Sequence, residues 1–130
     1  MLPLLAGRAA AEAKGAGMIY QLRVYEIFEA NKAAFHDRFE RHAMRIMKTH
    51  GFDIVETFEA RSTGRTEFVY LLRWPDEAAL RARWAAFMAD AEWARIKQES
   101  AAVHGRLVGA IEERILQPTG YSPGGLAGIA

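Results

Sequence analysis

Apolar and polar residues alternate from residue 19 to 28, IYQLRVYEIF, and the run is dense in β-branched and aromatic side chains. That pattern predicts a strand. Its period of two puts Tyr20, Leu22, Val24 and Phe28 on one face and Ile19, Gln21, Arg23, Tyr25 and Ile27 on the other. The period then lengthens. Phe35, Phe39, Ile46 and either Ala43 or Met47 recur at helical spacing, with Asn31 as the expected N-cap and Gly51 just past the end near His50. Residues 52–60 and 67–74 read as two strands of a hairpin turned at Ser62-Thr63-Gly64-Arg65. Pro75 stops the second of these and Asp76 caps a helix striped by Leu80, Trp84, Phe87 and Met88. Asp90 caps a further helical piece carrying Trp93 and Ile96, which Gly105 ends. Residues 107–116 form a fourth strand, closed by Pro118.

The order β-α-β-β-α-β, with the second helix in two pieces, predicts an α+β, ferredoxin-like fold with a four-stranded antiparallel sheet. Helices then cover one face of that sheet. The third strand carries Phe68, Tyr70, Leu72 and Trp74 on one face and Val69 and Leu71 on the other. A sheet with one wet face alternates apolar with polar, so this strand calls for cover on both sides. A second copy packed sheet to sheet is the economical source, giving a homodimer; a C-terminal segment folded back over the sheet is the alternative. Residues 18–123 are the expected domain. Residues 1–17, rich in Ala and Gly, read as an extension, flexible or a short helix, and residues 124–130 as a tail.

Composition narrows the function classes. Seventeen basic and sixteen acidic residues leave a net charge of +1, no footprint for nucleic acid or an anionic membrane. The absence of cysteine removes disulfides, thiolate metal sites and a thiol nucleophile. The first apolar run, residues 2–6, is too short for a signal peptide or a membrane span. Among the four histidines, His36, His42 and His50 share the first helix at spacings of six and eight, not the i, i+4 pairing of a helical metal site. No serine sits beside a base in a nucleophile motif, and no glycine run has the setting of a phosphate loop.

Five segments carry a family resemblance. Tyr20-Gln21-Leu22-Arg23-Val24-Tyr25 is similar to the opening strand of the NIPSNAP family. Phe35, Phe39 and His42, followed by His50-Gly51-Phe52, resemble its first helix and the glycine turn after it. Glu67-Phe68-Val69-Tyr70-Leu71 resembles its apolar third strand, and Asp90-Ala91-Glu92-Trp93 a four-residue element in which Ala91 replaces the usual proline. Residues 115–123, ILQPTGYSP, resemble the closing segment, with Gln117 and Tyr121 as departures. The resemblance implies a dimeric α/β barrel, the superfamily that also holds small cofactor-free monooxygenases and haem-degrading enzymes. It assigns no catalytic residue.

The candidate ligand-binding residues are therefore Arg23, Tyr25, His42, Tyr70 and Trp74. Arg23 and Tyr25 are expected on the face turned away from the helices, where they would offer a charge and a hydroxyl to an anion or carbonyl. The competing reading is an ion pair of Arg23 with Glu56 or Glu112. His42 lies within the resembling helix motif and is expected at a pocket edge. Tyr70 and Trp74 read as core or interface residues, with an aromatic pocket wall as the alternative. Trp84 and Phe87 read as helix-to-sheet core. The expected function is a homodimeric domain enclosing a small-molecule cavity, without cofactor, metal, nucleic acid or membrane partner, and cytoplasmic. One alternative is a cofactor-independent monooxygenase-like enzyme acting on a small aromatic or polyketide-like substrate. Another is a non-catalytic dimeric module whose interior is filled by Tyr70, Leu72, Trp74 and their symmetry mates.

Overall fold

Four strands and three helices follow one another in the predicted order, as described by a computed structural model of residues 18–124. The expected extension over residues 1–17 and all but the first residue of the expected tail lie outside the described residues. Strand β1 spans Ile19–Ile27 and strand β2 Asp53–Ser62. Helix α1 follows a short 3₁₀ turn, Glu29–Asn31, and runs through Lys32–Arg38, a π-turn at Phe39–Ala43 and Met44–Thr49. Strand β3 is Arg65–Trp74, helix α2 Glu77–Met88, helix α3 Ala91–His104 and strand β4 Val108–Leu116. The sheet is antiparallel throughout, in the order β2-β3-β1-β4.

Local chemistry explains most boundaries. Asp76 accepts from the Ala79 N–H at 2.7 Å and Asp90 from the Trp93 N–H at 2.9 Å, so both aspartates cap as expected. Gly51 and Gly105 end α1 and α3 at φ of 83° and 75°, a region glycine enters without a Cβ penalty. Asn31 departs from its expected role. Its side chain caps nothing on α1 and instead donates from Nδ2 to the Arg106 carbonyl at 2.9 Å, tying the start of α1 to the loop before β4.

The helices pack on one face of the sheet. Phe68, Tyr70, Leu72 and Trp74 of β3 join Phe35, Phe39, Ala43, Ile46 and Met47 of α1, Leu80 and Phe87 of α2, and Trp93 and Ile96 of α3 in a single core. Tyr20, Val24 and Leu71 are buried too, yet they stand outside that core, on the opposite face. So both faces of β3 are apolar, as its sequence demands.

Two one-residue irregularities shape the helix side. In α1 the buried residues Phe35, Phe39, Ala43 and Met47 follow at steps of four. At 3.6 residues per turn each such step overshoots by about 40°, and the wider π-turn takes up the drift. In β4 the pairing with β1 slips between Tyr25 and Ile27, a β-bulge around Gly109. A Cβ on Gly109 would come within 2.3 Å of the Glu26 carboxylate, which accepts from the Ala110 N–H at 3.1 Å.

Candidate functional site

The register of β1 against β3 places Gln21 opposite Leu72, Arg23 opposite Tyr70 and Tyr25 opposite Phe68. Directly paired residues share a face, so Arg23 and Tyr25 point toward the helices. This corrects the sequence expectation. The physical reason lies on β3: Phe68 and Tyr70 pack on Phe39 of α1 at ring separations of 4.6 and 5.1 Å, which makes theirs the covered face. Strict alternation separates two faces of a strand; it does not say which one the helices take.

Between this face and the helices lies a cavity of about 180 Å³. Tyr25 and Arg23 of β1, Phe39 and Ala43 of α1, and Trp84 and Phe87 of α2 line it. Trp93 and Lys97 of α3 and Val108 and Ile111 of β4 complete the wall, with Arg38 of α1 beside them. The apolar share is large and the polar groups few, the usual make-up of a small-molecule site.

A continuous polar network underlies the Arg23 side of the cavity. Gln21, 1% exposed, accepts from the indole N–H groups of Trp74 and Trp84 at 2.9 and 2.7 Å and donates to Glu113 at 2.7 Å. Glu113 lies 3.8 Å from Arg23 Nη1, and Arg23 stacks over the Trp84 ring at 4.3 Å. Arg23 Nη2 donates to the Tyr25 hydroxyl at 3.1 Å, and the Tyr25 and Tyr70 hydroxyls are 2.6 Å apart. Burial pushes the Tyr70 hydroxyl pKa well above its ordinary value, and neighbouring Tyr25 pushes the same way. Tyr70 is therefore a neutral phenol. Burial also disfavours the Arg23 charge, but the Tyr25 and Tyr70 oxygens outweigh it and the pKa rises.

The sequence candidates thus divide. Arg23 and Tyr25 stand together on the cavity, and Tyr70 touches it through the Tyr25 hydroxyl. Trp74 is 1% exposed and bonds Gln21; it is core, behind the site. His42 belongs elsewhere: it lines a shallow groove between α1 and α3, with its Nδ1 3.5 Å from Arg45, and does not converge with Arg23. The Arg23 carboxylate partner is Glu113. Glu112, on the opposite face, approaches Arg65 and Arg114, while Glu56 accepts from the adjacent Thr57 N–H. Tyr70, Leu72 and Trp74 face the helices, so they do not fill a space between two sheets. That role would fall to the opposite face.

Sequence reasoning missed Gln21, Glu113, Arg38 and Lys97. Gln21 carries little signal in the chain: it is one of three polar residues on β1, and its tryptophan partners lie 53 and 63 residues away. Arg38 and Lys97 are brought to the same ring, Trp93, only by the fold, at 5.4 and 5.8 Å from its centroid. Among the described residues, no three metal-ligating side chains come together, and no helix is long and apolar enough to cross a membrane.

Comparison with known proteins adds the lineage. An uncharacterized NIPSNAP-like domain protein from Burkholderia xenovorans superposes at a TM-score of 0.70, with 22% identity over 83% of this chain and 90% of its own. A NIPSNAP family protein of unknown function from Agrobacterium tumefaciens superposes at 0.68, with 24% identity over 82% and 92%. SnoaB, a cofactor-independent oxygenase from Streptomyces nogalater, shares the fold at a TM-score of 0.53 and 17% identity, over 83% of this chain and 99% of its own. No curated protein matches. The NIPSNAP family model matches residues 20–123, which contain all four strands but for Ile19 and every residue of the cavity: the chain belongs to the NIPSNAP family.

Proposed function

We propose that this protein is a homodimer in which each copy holds a small organic molecule between its sheet and its helices. One observation carries the binding reading. The cavity is walled by aromatic rings and bordered by Arg23, Arg38 and Lys97, and a packed structural core has no use for that arrangement. Support for the dimer comes from the sheet face opposite the helices. There the half-buried Leu22 and Val69 and the 51% exposed Phe58 flank the buried Val24 and Leu71. A second copy laid on that face would cover the part still open. A cytoplasmic setting belongs to the same proposal.

Two measurements test this. Native mass spectrometry of the freshly purified protein is expected to give a dimer with bound small molecules that denaturation releases. Val69→Glu, on the open face, is expected to give a folded monomer in light scattering. A wild-type monomer at micromolar concentration, or a preparation that neither carries nor takes up any organic ligand, would overturn the corresponding half.

A second reading, cofactor-independent oxygenation of a small aromatic or polyketide-like substrate, has its own support. Structural neighbours include SnoaB and a monooxygenase of Streptomyces coelicolor in complex with nanaomycin D, the latter at a TM-score of 0.52 and 16% identity. The Arg23–Tyr25–Tyr70 line also presents N–H and O–H donors beside an apolar chamber. Oxygen uptake with anthrone, abolished in Tyr25→Phe, is the expected result; no uptake above the buffer rate removes this reading.

A further inference from the structure

Four of the described arginines are not exposed: Arg23, Arg38, Arg65 and Arg73. Three have a carboxylate within reach, Glu113 for Arg23, Glu67 for Arg65 and Asp53 for Arg73. Among the described residues Arg38 has none; its hydrogen bond goes to the neutral Ser100 hydroxyl at 3.0 Å. Burying a guanidinium without a counter-charge is costly, and burial holds its pKa below the ordinary value, with Tyr25 only partly opposing. Lys97 also has no carboxylate within ion-pair distance among the described residues. Both cations line the cavity and both rest on the Trp93 ring, which positions their heads without neutralising them. By contrast Arg23, the arginine the sequence singles out, already has a carboxylate, Glu113, at 3.8 Å, along with the Tyr25 hydroxyl and the Trp84 ring, and only its buried Nε lacks a partner.

We infer that the cavity selects an organic acid: a molecule with a flat apolar body that packs among the aromatic rings and a carboxylate that Arg38 and Lys97 receive. This deepens the binding proposal above and rests on it. The chemistry follows from the inventory. Arg38 retains several N–H donors beyond the one given to Ser100, in the fork geometry that matches a carboxylate, and Lys97 adds a second positive charge. Apart from Arg23 and Tyr25 at its β1 edge, the rest of the wall, with Phe39, Met47, Trp84, Phe87 and Ile111, is apolar and suits an unsubstituted ring.

The test compares 2-naphthoate with its neutral isostere 2-naphthamide by isothermal titration calorimetry. The wild-type protein is expected to bind the acid at least about tenfold more tightly, the discrimination one desolvated charge-assisted hydrogen bond supplies. Arg38→Gln is expected to erase that preference while still binding the amide, which also shows that the variant has folded. Lys97→Gln is expected to reduce it, and Arg61→Gln, at an exposed position, to leave it unchanged. Equal binding of acid and amide by the wild type would overturn the inference and leave the cavity reading standing. A preference that survives Arg38→Gln and vanishes in Arg23→Gln would also overturn it, by moving the anion to the other arginine. If neither compound binds, the cavity reading fails and the inference with it.

Discussion

Replacing Gln21 by Met removes a side chain on which three others depend. The Trp74 and Trp84 indole N–H groups lose their acceptor at once, and the Glu113 carboxylate loses its hydrogen-bond donor, keeping only Arg23 at 3.8 Å. A buried donor left unsatisfied costs about 1–3 kcal/mol. Trp74 is 1% exposed and bears that cost in full. Trp84 is half-buried and recovers part of its hydrogen bonding from water, as does Glu113, whose side chain is 33% exposed. Methionine matches glutamine in volume, so no cavity term adds to the sum. The expected loss is about 2–3 kcal/mol, and at roughly 4–8 °C per kcal/mol for a domain near this size the melting temperature falls by ~10 °C or more. Urea titration followed by tryptophan fluorescence and circular dichroism together measures it, with an unchanged slope. Gln21→Glu keeps an acceptor for both indoles but sets a second carboxylate against Glu113. Its stability deficit is therefore expected to shrink as the pH falls and one carboxyl takes up a proton. A Gln21→Met protein within about 0.5 kcal/mol of wild type, the range of a neutral surface change, would refute the claim that this network organises the site.

Tyr25→Phe strands the buried Tyr70 hydroxyl and is expected to cost about 1–3 kcal/mol, whereas Tyr70→Phe leaves Tyr25 bonded to Arg23 and costs less; paired denaturation curves show the order. Gly109→Ala drives a Cβ onto the Glu26 carboxylate and is expected to destabilise by at least about 1 kcal/mol, a loss that Glu26→Ala in the same chain reduces. The His50 ring, at 2.9 Å, and secondarily the Trp93 N–H hold the Asp90 carboxyl below its ordinary 3.8. A lowered native pKa contributes stability above the unfolded-state value, and this is lost as the pH falls through the native one. The advantage of wild type over Asp90→Asn is thus expected to be full near pH 6 and to fade below pH ~4, as read from thermal melts across that range.

Signals carried by neighbouring residues were legible in the chain. Asp76, Asp90, Gly51 and Gly105 each bound a helix through contacts within a few residues, and each stands where the pattern puts it. The two-faced grease of β3 was equally plain, because a period of two needs no partner to be seen. What the chain hid was the choice between faces. The set Tyr20, Leu22 and Val24 is the more apolar side of β1, and by composition alone it is the natural one to give to the helices. The helices instead cover Gln21, Arg23 and Tyr25, whose polar atoms, the Arg23 Nε excepted, find partners only once β3, β4 and α2 have assembled around them. Arg38 and Lys97 were invisible for the same reason: they stand 59 positions apart in the chain, and Trp93 joins them only in three dimensions.

The cavity is bordered by two places where the backbone carries one residue more than regular geometry needs, the π-turn beneath Phe39 and Ala43 and the bulge between Val108 and Ile111. Through the bulge, two side chains three positions apart look into the same chamber, which an unbroken strand would forbid. The volume available to a guest can therefore be reset by the gain or loss of a single codon at either place, with the core tryptophans and the caps untouched. Relatives that differ by one-residue gaps at these points would be tuned for guests of different size, even where the residues they share on the wall are identical.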